Sequence, residues 1–142
     1  MLQNSLINLP KSYFGYELRM ATSEEVNWFS DNINISGYAS DDGYIVLNPF
    51  SKLSKREIEG VCINEAIRLF MHEYQITPRI RLTRLQVLFF NGTHYEKKIS
   101  EIKKTVIARI IAGDPSAQNF TPHQNKIANE IHKLATNKSK CL

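Results

Sequence analysis

The segment Lys55–Tyr74 constrains the fold more than any other part of the chain. At ~100° per residue, Ile58, Cys62, Ile63, Ala66, Ile67, Leu69, Phe70, Met71 and Tyr74 spread over more than half of a helical circumference. A helix apolar on most sides has to be surrounded, because every wetted apolar group forfeits its transfer free energy. The rest of the chain must therefore wrap around this rod. A chain of 142 residues is long enough to do so, since domains near this size bury roughly 68–70% of the surface their unfolded chains expose.

Helix start signals recur along the sequence. Thr22-Ser23-Glu24-Glu25, Ser54-Lys55-Arg56-Glu57, Thr83-Arg84-Leu85-Gln86, Thr93-His94-Tyr95-Glu96 and Thr121-Pro122-His123-Gln124 each pair a Ser or Thr with Glu or Gln three residues on. That spacing lets the two side chains satisfy the first free amides of a helix reciprocally. The signals predict a short helix from Thr22 through Phe29 and helices over 55–74, 84–91, 94–112 and 122–136. Gly92 and Gly113 fall where left-handed C-terminal residues are needed, and Pro115 follows the second. In 94–112, Tyr95, Ile99, Ile102, Val106 and Ile110 form an inward stripe. In the last helix Ile127, Ile131 and Leu134 form a narrow one, which places it at the periphery with a fraying tail from Asn137. Trp28, Phe89, Phe90 and Tyr95 are expected in the core.

The first third reads differently. Tyr16–Met20 is a plausible strand, and Gly37–Ser40 and Tyr44–Leu47 flank Asp41-Asp42-Gly43. Asp-Gly permits positive φ at both central positions of a tight hairpin, so two antiparallel strands are expected there. Asn48-Pro49 ends the second, because proline donates nothing to a ladder. The expected class is α+β: a small antiparallel sheet from the N-terminal third packed against about four to five helices. No boundary or repeat divides the chain, so residues 1–142 are read as one domain with loose ends at 1–12 and 138–142.

Composition removes several classes. With 42% hydrophobic and 23% charged residues the chain is neither low-complexity nor disordered in pattern. Apolar runs such as Val87-Leu88-Phe89-Phe90 are far too short to span a bilayer. The start, Met1-Leu2-Gln3-Asn4-Ser5, lacks a basic region followed by an apolar one, which leads to a cytoplasmic expectation. Cys62 and Cys141 are expected as free thiols. A net charge of +4 adds mild attraction to polyanions without identifying one.

The central helix carries the best candidate site. Asn64, Glu65, Arg68 and His72 are spaced by steps that align them on one strip of an otherwise apolar rod. A carboxylate, a guanidinium and an imidazole on such a strip either meet solvent or line a cleft for a ligand or a proton transfer. Basic residues offer a second possibility: Arg79, Arg81, Arg84, Lys97, Lys98 and Lys104 would form a nucleic-acid face, with the helices joined at Asn91-Gly92 resembling a helix-turn-helix. Glu96 and Glu101 interrupt that face and would repel phosphate. Gly113-Asp114-Pro115-Ser116, beside Thr105 and Arg109, offers turn amides for an anion, but at the negative end of a helix dipole. His72-Glu73-Tyr74-Gln75-Ile76 lacks the second histidine of a zinc motif, and no phosphate loop or dinucleotide fingerprint occurs. No metal and no cofactor are expected.

Three stretches carry a resemblance: Asp42-Gly43-Tyr44-Ile45-Val46-Leu47-Asn48-Pro49, Asn64-Glu65-Ala66-Ile67-Arg68-Leu69, and Thr105 through Ala117. Together they resemble small uncharacterised bacterial proteins carried on mobile elements, including integron gene cassettes. The resemblance implies a bacterial accessory protein and assigns no site residue. The expectation from the sequence is a non-enzymatic accessory protein that binds a macromolecular partner or a small ligand. The alternatives are a nucleic-acid binder with a basic helical face and a small enzyme using Glu65, Arg68 and His72. Self-association is compatible with each; a membrane partner is not expected.

Overall fold

The computed structural model describes residues 9–91, 99–113 and 120–140. Its elements are β1 (Ser12–Tyr13), β2 (Tyr16–Arg19), α1 (Ser23–Asp31), β3 (Gly37–Ala39), β4 (Ile45–Leu47), α2 (Lys55–Glu73), α3 (Arg84–Asn91), α4 (Ile99–Ala112) and α5 (Pro122–Lys140). The protein is α+β, and no helix among the described residues is long and apolar enough to cross a membrane.

The expected central rod is present. Ile58, Cys62, Ala66, Ile67, Leu69, Phe70 and Met71 of α2 are buried. They form one cluster with Ile45 and Leu47 of the sheet, Val106, Ile107 and Ala108 of α4, and Ala128, Ile131 and Ala135 of α5. Ser54 caps α2 through a complete box with Glu57. The helix ends by placing Gln75 at φ 53. There the Gln75 N–H donates to the His72 carbonyl at 3.2 Å and the Ile76 N–H to the Met71 carbonyl at 2.8 Å. This is a Schellman closure with glutamine in the position that usually favours glycine.

The sheet has the order β1-β2-β4-β3. The β3–β4 hairpin is antiparallel, with Tyr38 opposite Val46. The sheet as a whole is mixed, because β2 pairs with β4 in parallel, Leu18 opposite Ile45. Helix α1 carries the chain across before the hairpin returns β4 beside β2, and parallel neighbours require such a crossover. Gly37 is pressed against β4: a Cβ there would lie 2.9 Å from the Val46 carbonyl oxygen. The hairpin loop also differs from the expected two-residue turn. Only Gly43 has positive φ, at 86°, and Ser40 faces Tyr44 through the Ser40 N–H to Tyr44 carbonyl bond of 2.9 Å. That makes a three-residue loop closed by a glycine bulge.

The expected loose ends are partly built into the fold. Leu9 is buried, and Ser12 and Tyr13 pair with β2 through a two-residue turn. Both turn residues, Phe14 and Gly15, have positive φ, as the right-handed twist of a tight hairpin demands. Phe14 then stacks edge-on against His132 of α5, ring centroids 5.5 Å apart. At the other end α5 continues past Asn137 to Lys140. Its inward row is Gln124, Ala128, Ile131 and Ala135, whereas Leu134 is exposed. Small residues let α5 approach closely, so the expected leucine is not needed inside. Ile99 is likewise half exposed at the start of α4. Phe89 lies largely in solvent instead of in the core, and Trp28 is partly exposed, packed edge-on against Phe29 and Tyr38.

Candidate functional site

Three of the four residues on the α2 strip converge on one cleft. Glu65, Arg68 and His72 line it together with Tyr16 of β2, the Ser40–Gly43 loop, Glu73, and Glu101 and Lys104 of α4, around a volume of about 700 Å³. The cleft exists because the hairpin loop and α4 flank α2 on either side. Asn64 lines a separate cleft of about 520 Å³ beside Gly60 and Ala112. It contributes indirectly, since its Oδ1 accepts from Arg68 Nε at 3.0 Å.

The cations in the cleft are largely occupied by the protein itself. Arg68 Nη2 donates to Thr105 Oγ1 at 2.8 Å, and that hydroxyl lies 3.0 Å from the Glu101 carbonyl. Arg68 is thereby fixed between α2 and α4. Lys104 Nζ lies 3.6 Å from Glu101. The carboxylates are more numerous: Asp41, Asp42, Glu65, Glu73 and Glu101. Asp42 is 3.3 Å from Arg19, which also forks onto Glu25 at 2.6 and 3.0 Å. That pairing, with the Thr22 capping bonds, holds the Glu25 carboxyl down to about 2 despite some desolvation. Glu73 accepts from the Tyr16 hydroxyl, and Lys138 of α5 sits 3.6 Å from the Tyr16 ring centroid and 3.5 Å from Glu73.

Glu65 differs from the other carboxylates. Burial raises its pKa, and the neighbouring Arg68 and a hydrogen bond from the Ala39 backbone only partly offset this. A carboxyl with a lifted pKa inside a cleft marks a place where charge is costly until something joins it. Ser40 is buried, and its hydroxyl accepts from the Tyr44 N–H at 3.0 Å while lying against the Asp42 carboxylate. That hydroxyl, held by Asp42 and Tyr44 of the same hairpin, clamps the loop. Among the described residues no cluster of His, Cys, Asp or Glu is placed to hold a metal ion.

The basic candidates are dispersed. Arg79 and Arg81 line a third cleft with Lys103, and Arg84 begins α3 with its side chain exposed. Lys104 belongs to the acidic cleft. Lys97 and Lys98, like the Thr93 start signal and the 114–117 turn, lie outside the described residues. Cys62 is a free thiol whose pKa burial pushes up to about 12. Arg109 lies with its guanidinium 5.0 Å from the Phe90 ring centroid.

Sequence reasoning missed the opposite wall. Asp41 and Asp42 read only as turn formers, and nothing local in the chain announces that their loop folds over Glu65. Comparison with protein-family models, with curated proteins and with solved structures finds no match.

Proposed function

We propose that the protein is a non-enzymatic binding module whose acidic cleft takes a small amine-bearing cation. One observation carries this reading. The cleft is walled by carboxylates from the hairpin loop, α2 and α4, while Arg68 and Lys104 already spend donors on Thr105, Asn64 and Glu101. Asp42, Glu73 and Glu101 are likewise paired, with Arg19, Lys138 and Lys104, so the acceptors the cleft has left to offer are those of Asp41 and Glu65. An ammonium placed against Glu65 would supply the opposite charge that burial withholds from it. The small-enzyme alternative lacks support from a nucleophile, because the Ser40 hydroxyl is engaged by its own loop. No residue role here depends on the mobile-element setting that the resemblance implies.

The test is calorimetric titration with 1,4-diaminobutane, with succinate as the charge-reversed control of similar length. Diamine binding that strengthens as pH rises above the ordinary carboxylate range, and that Asp41→Asn and Glu65→Gln each weaken several-fold, is the expected result. Preference for succinate, or heat from neither compound, would overturn the reading.

A further inference from the structure

Helix α3 presents its apolar residues to solvent. Leu85 is 76% exposed, Leu88 71% and Phe89 70%. At 100° per residue these three, with Arg84 beside Leu88, occupy one continuous arc. The inward side is Gln86, Val87 and Phe90, of which Gln86 is buried. The orientation is fixed from inside: Gln86 and Gln124 exchange reciprocal side-chain hydrogen bonds, each of 2.8 Å. Gln86 Oε1 also accepts from the Thr83 N–H at 2.9 Å, and Gln124 Nε2 donates to the Arg81 carbonyl at 2.7 Å. Helix α3 cannot roll its leucines inward without breaking this network.

A basic groove adjoins the N-terminal end of α3. Thr83, the residue before α3, lines a cleft of about 670 Å³ together with Arg79, Arg81 and Lys103, and among the described residues no carboxylate contributes to its lining. Among the described residues, neither these three cations nor Arg84 forms a salt bridge. An apolar helix face beside uncompensated positive charge is the complement of one kind of partner.

We propose that α3 and the adjoining groove dock an acidic amphipathic helix from a partner protein. Leucine or phenylalanine of the partner would cover Leu85, Leu88 and Phe89, and its Asp or Glu residues would enter the Arg79–Arg81–Lys103 groove. Helix-on-face recognition uses such i, i+3, i+4 anchors, and aromatic and arginine residues at the centre of an interface carry most of its energy. Charge complementarity selects this occupant. Two aliphatic side chains in the arc offer nothing to a phosphate backbone, and a flat bilayer does not enter a concave groove.

The probe is a fluorescein-labelled designed peptide with Leu and Phe at helical spacing and Glu on the remaining face, read by fluorescence anisotropy. A scrambled peptide of the same composition and a peptide with Lys in place of Glu are the controls. The inference requires saturable binding of the ordered acidic peptide, at least tenfold tighter than either control. It also requires at least a tenfold loss on Phe89→Ser and on Arg81→Glu, with unchanged far-UV circular dichroism. Equal binding of the scrambled peptide, or indifference to both substitutions, would overturn it. So would a dimer in sedimentation that Phe89→Ser dissolves, co-sedimentation with phosphatidylserine vesicles through the same residues, or tighter binding of single-stranded DNA than of the peptide.

Discussion

Helices α2 and α3 use similar residues to opposite ends. Phe70 of α2 is 3% exposed and Phe89 of α3 is 70% exposed. Helix α2 is long enough to touch the sheet, α4 and α5 at once, so its apolar majority is enclosed on nearly every side. Helix α3 is a short element held by a polar pair, and its apolar majority is left outside. The difference teaches that apolar content sets how much a helix seeks to bury, whereas a satisfied polar contact can decide which side faces in. A buried amide without partners costs more than an exposed leucine does.

The largest expected effect breaks the enclosed helix. Ile67 is fully buried at the centre of the cluster, and Ile67→Ala should cost about 2–5 kcal/mol by lost transfer energy plus a residual cavity. Urea denaturation monitored by circular dichroism measures it. A loss below about 1 kcal/mol would mean that the rod is not the centre of the core.

The second prediction attacks the pair that turns α3 outward. Gln86→Ala removes the side-chain acceptor of the Thr83 N–H, keeps the Thr83 hydroxyl cap on the residue-86 amide, and leaves part of the Gln124 amide unsatisfied in the interior, for an expected loss of about 1–3 kcal/mol. Because the two side chains bond each other, Gln86→Ala and Gln124→Ala should be non-additive by at least about 0.5 kcal/mol in a double-mutant cycle. Additive losses would show that the amides act through their separate caps alone.

How much of this was legible depends on distance along the chain. The capping boxes at Thr22, Ser54, Thr83 and Thr121 lie within four residues each and all form. The enclosed face of α2 was legible because its period and length leave no alternative. The orientation of α3 was not, since its deciding partner, Gln124, is 38 positions away. The parallel pairing of β2 with β4 escaped for the same reason. So did the cleft: Glu65, Arg68 and His72 could be aligned by helical spacing, but the loop that walls them in arrives through tertiary packing. Asn64 shows the limit of such alignment. It shares the strip yet opens onto another cleft and serves to hold Arg68.

The third prediction concerns Glu65, a polar group on α2 that pays for its position with a raised pKa. The folded state holds the Glu65 proton more tightly than the unfolded chain. The resulting stability is fully present below the unfolded value, about 4.3, and is lost as pH rises toward the folded value. Glu65→Gln keeps the shape without the charge, so it should gain stability relative to the parent between pH 4 and pH 7.5. A stability difference that does not change with pH would remove burial as the cause.

The smallest effect completes the comparison. Leu88→Ser and Phe89→Ser alter side chains that are mostly in water, so together they should change stability by no more than about 0.5 kcal/mol. Phe89 does stack edge-on against Phe90 at 5.0 Å, but such a contact on an open face has little area to protect. The same pair of residues is expected to dominate partner binding, which separates the two roles of apolar surface in this fold. In α2 an apolar side chain is worth kilocalories to folding, and in α3 it is nearly free to change until something docks on it. A loss of several kcal/mol from the α3 double substitution, in the same urea assay used for Ile67→Ala, would show that this face is covered within the chain itself and would erase the distinction.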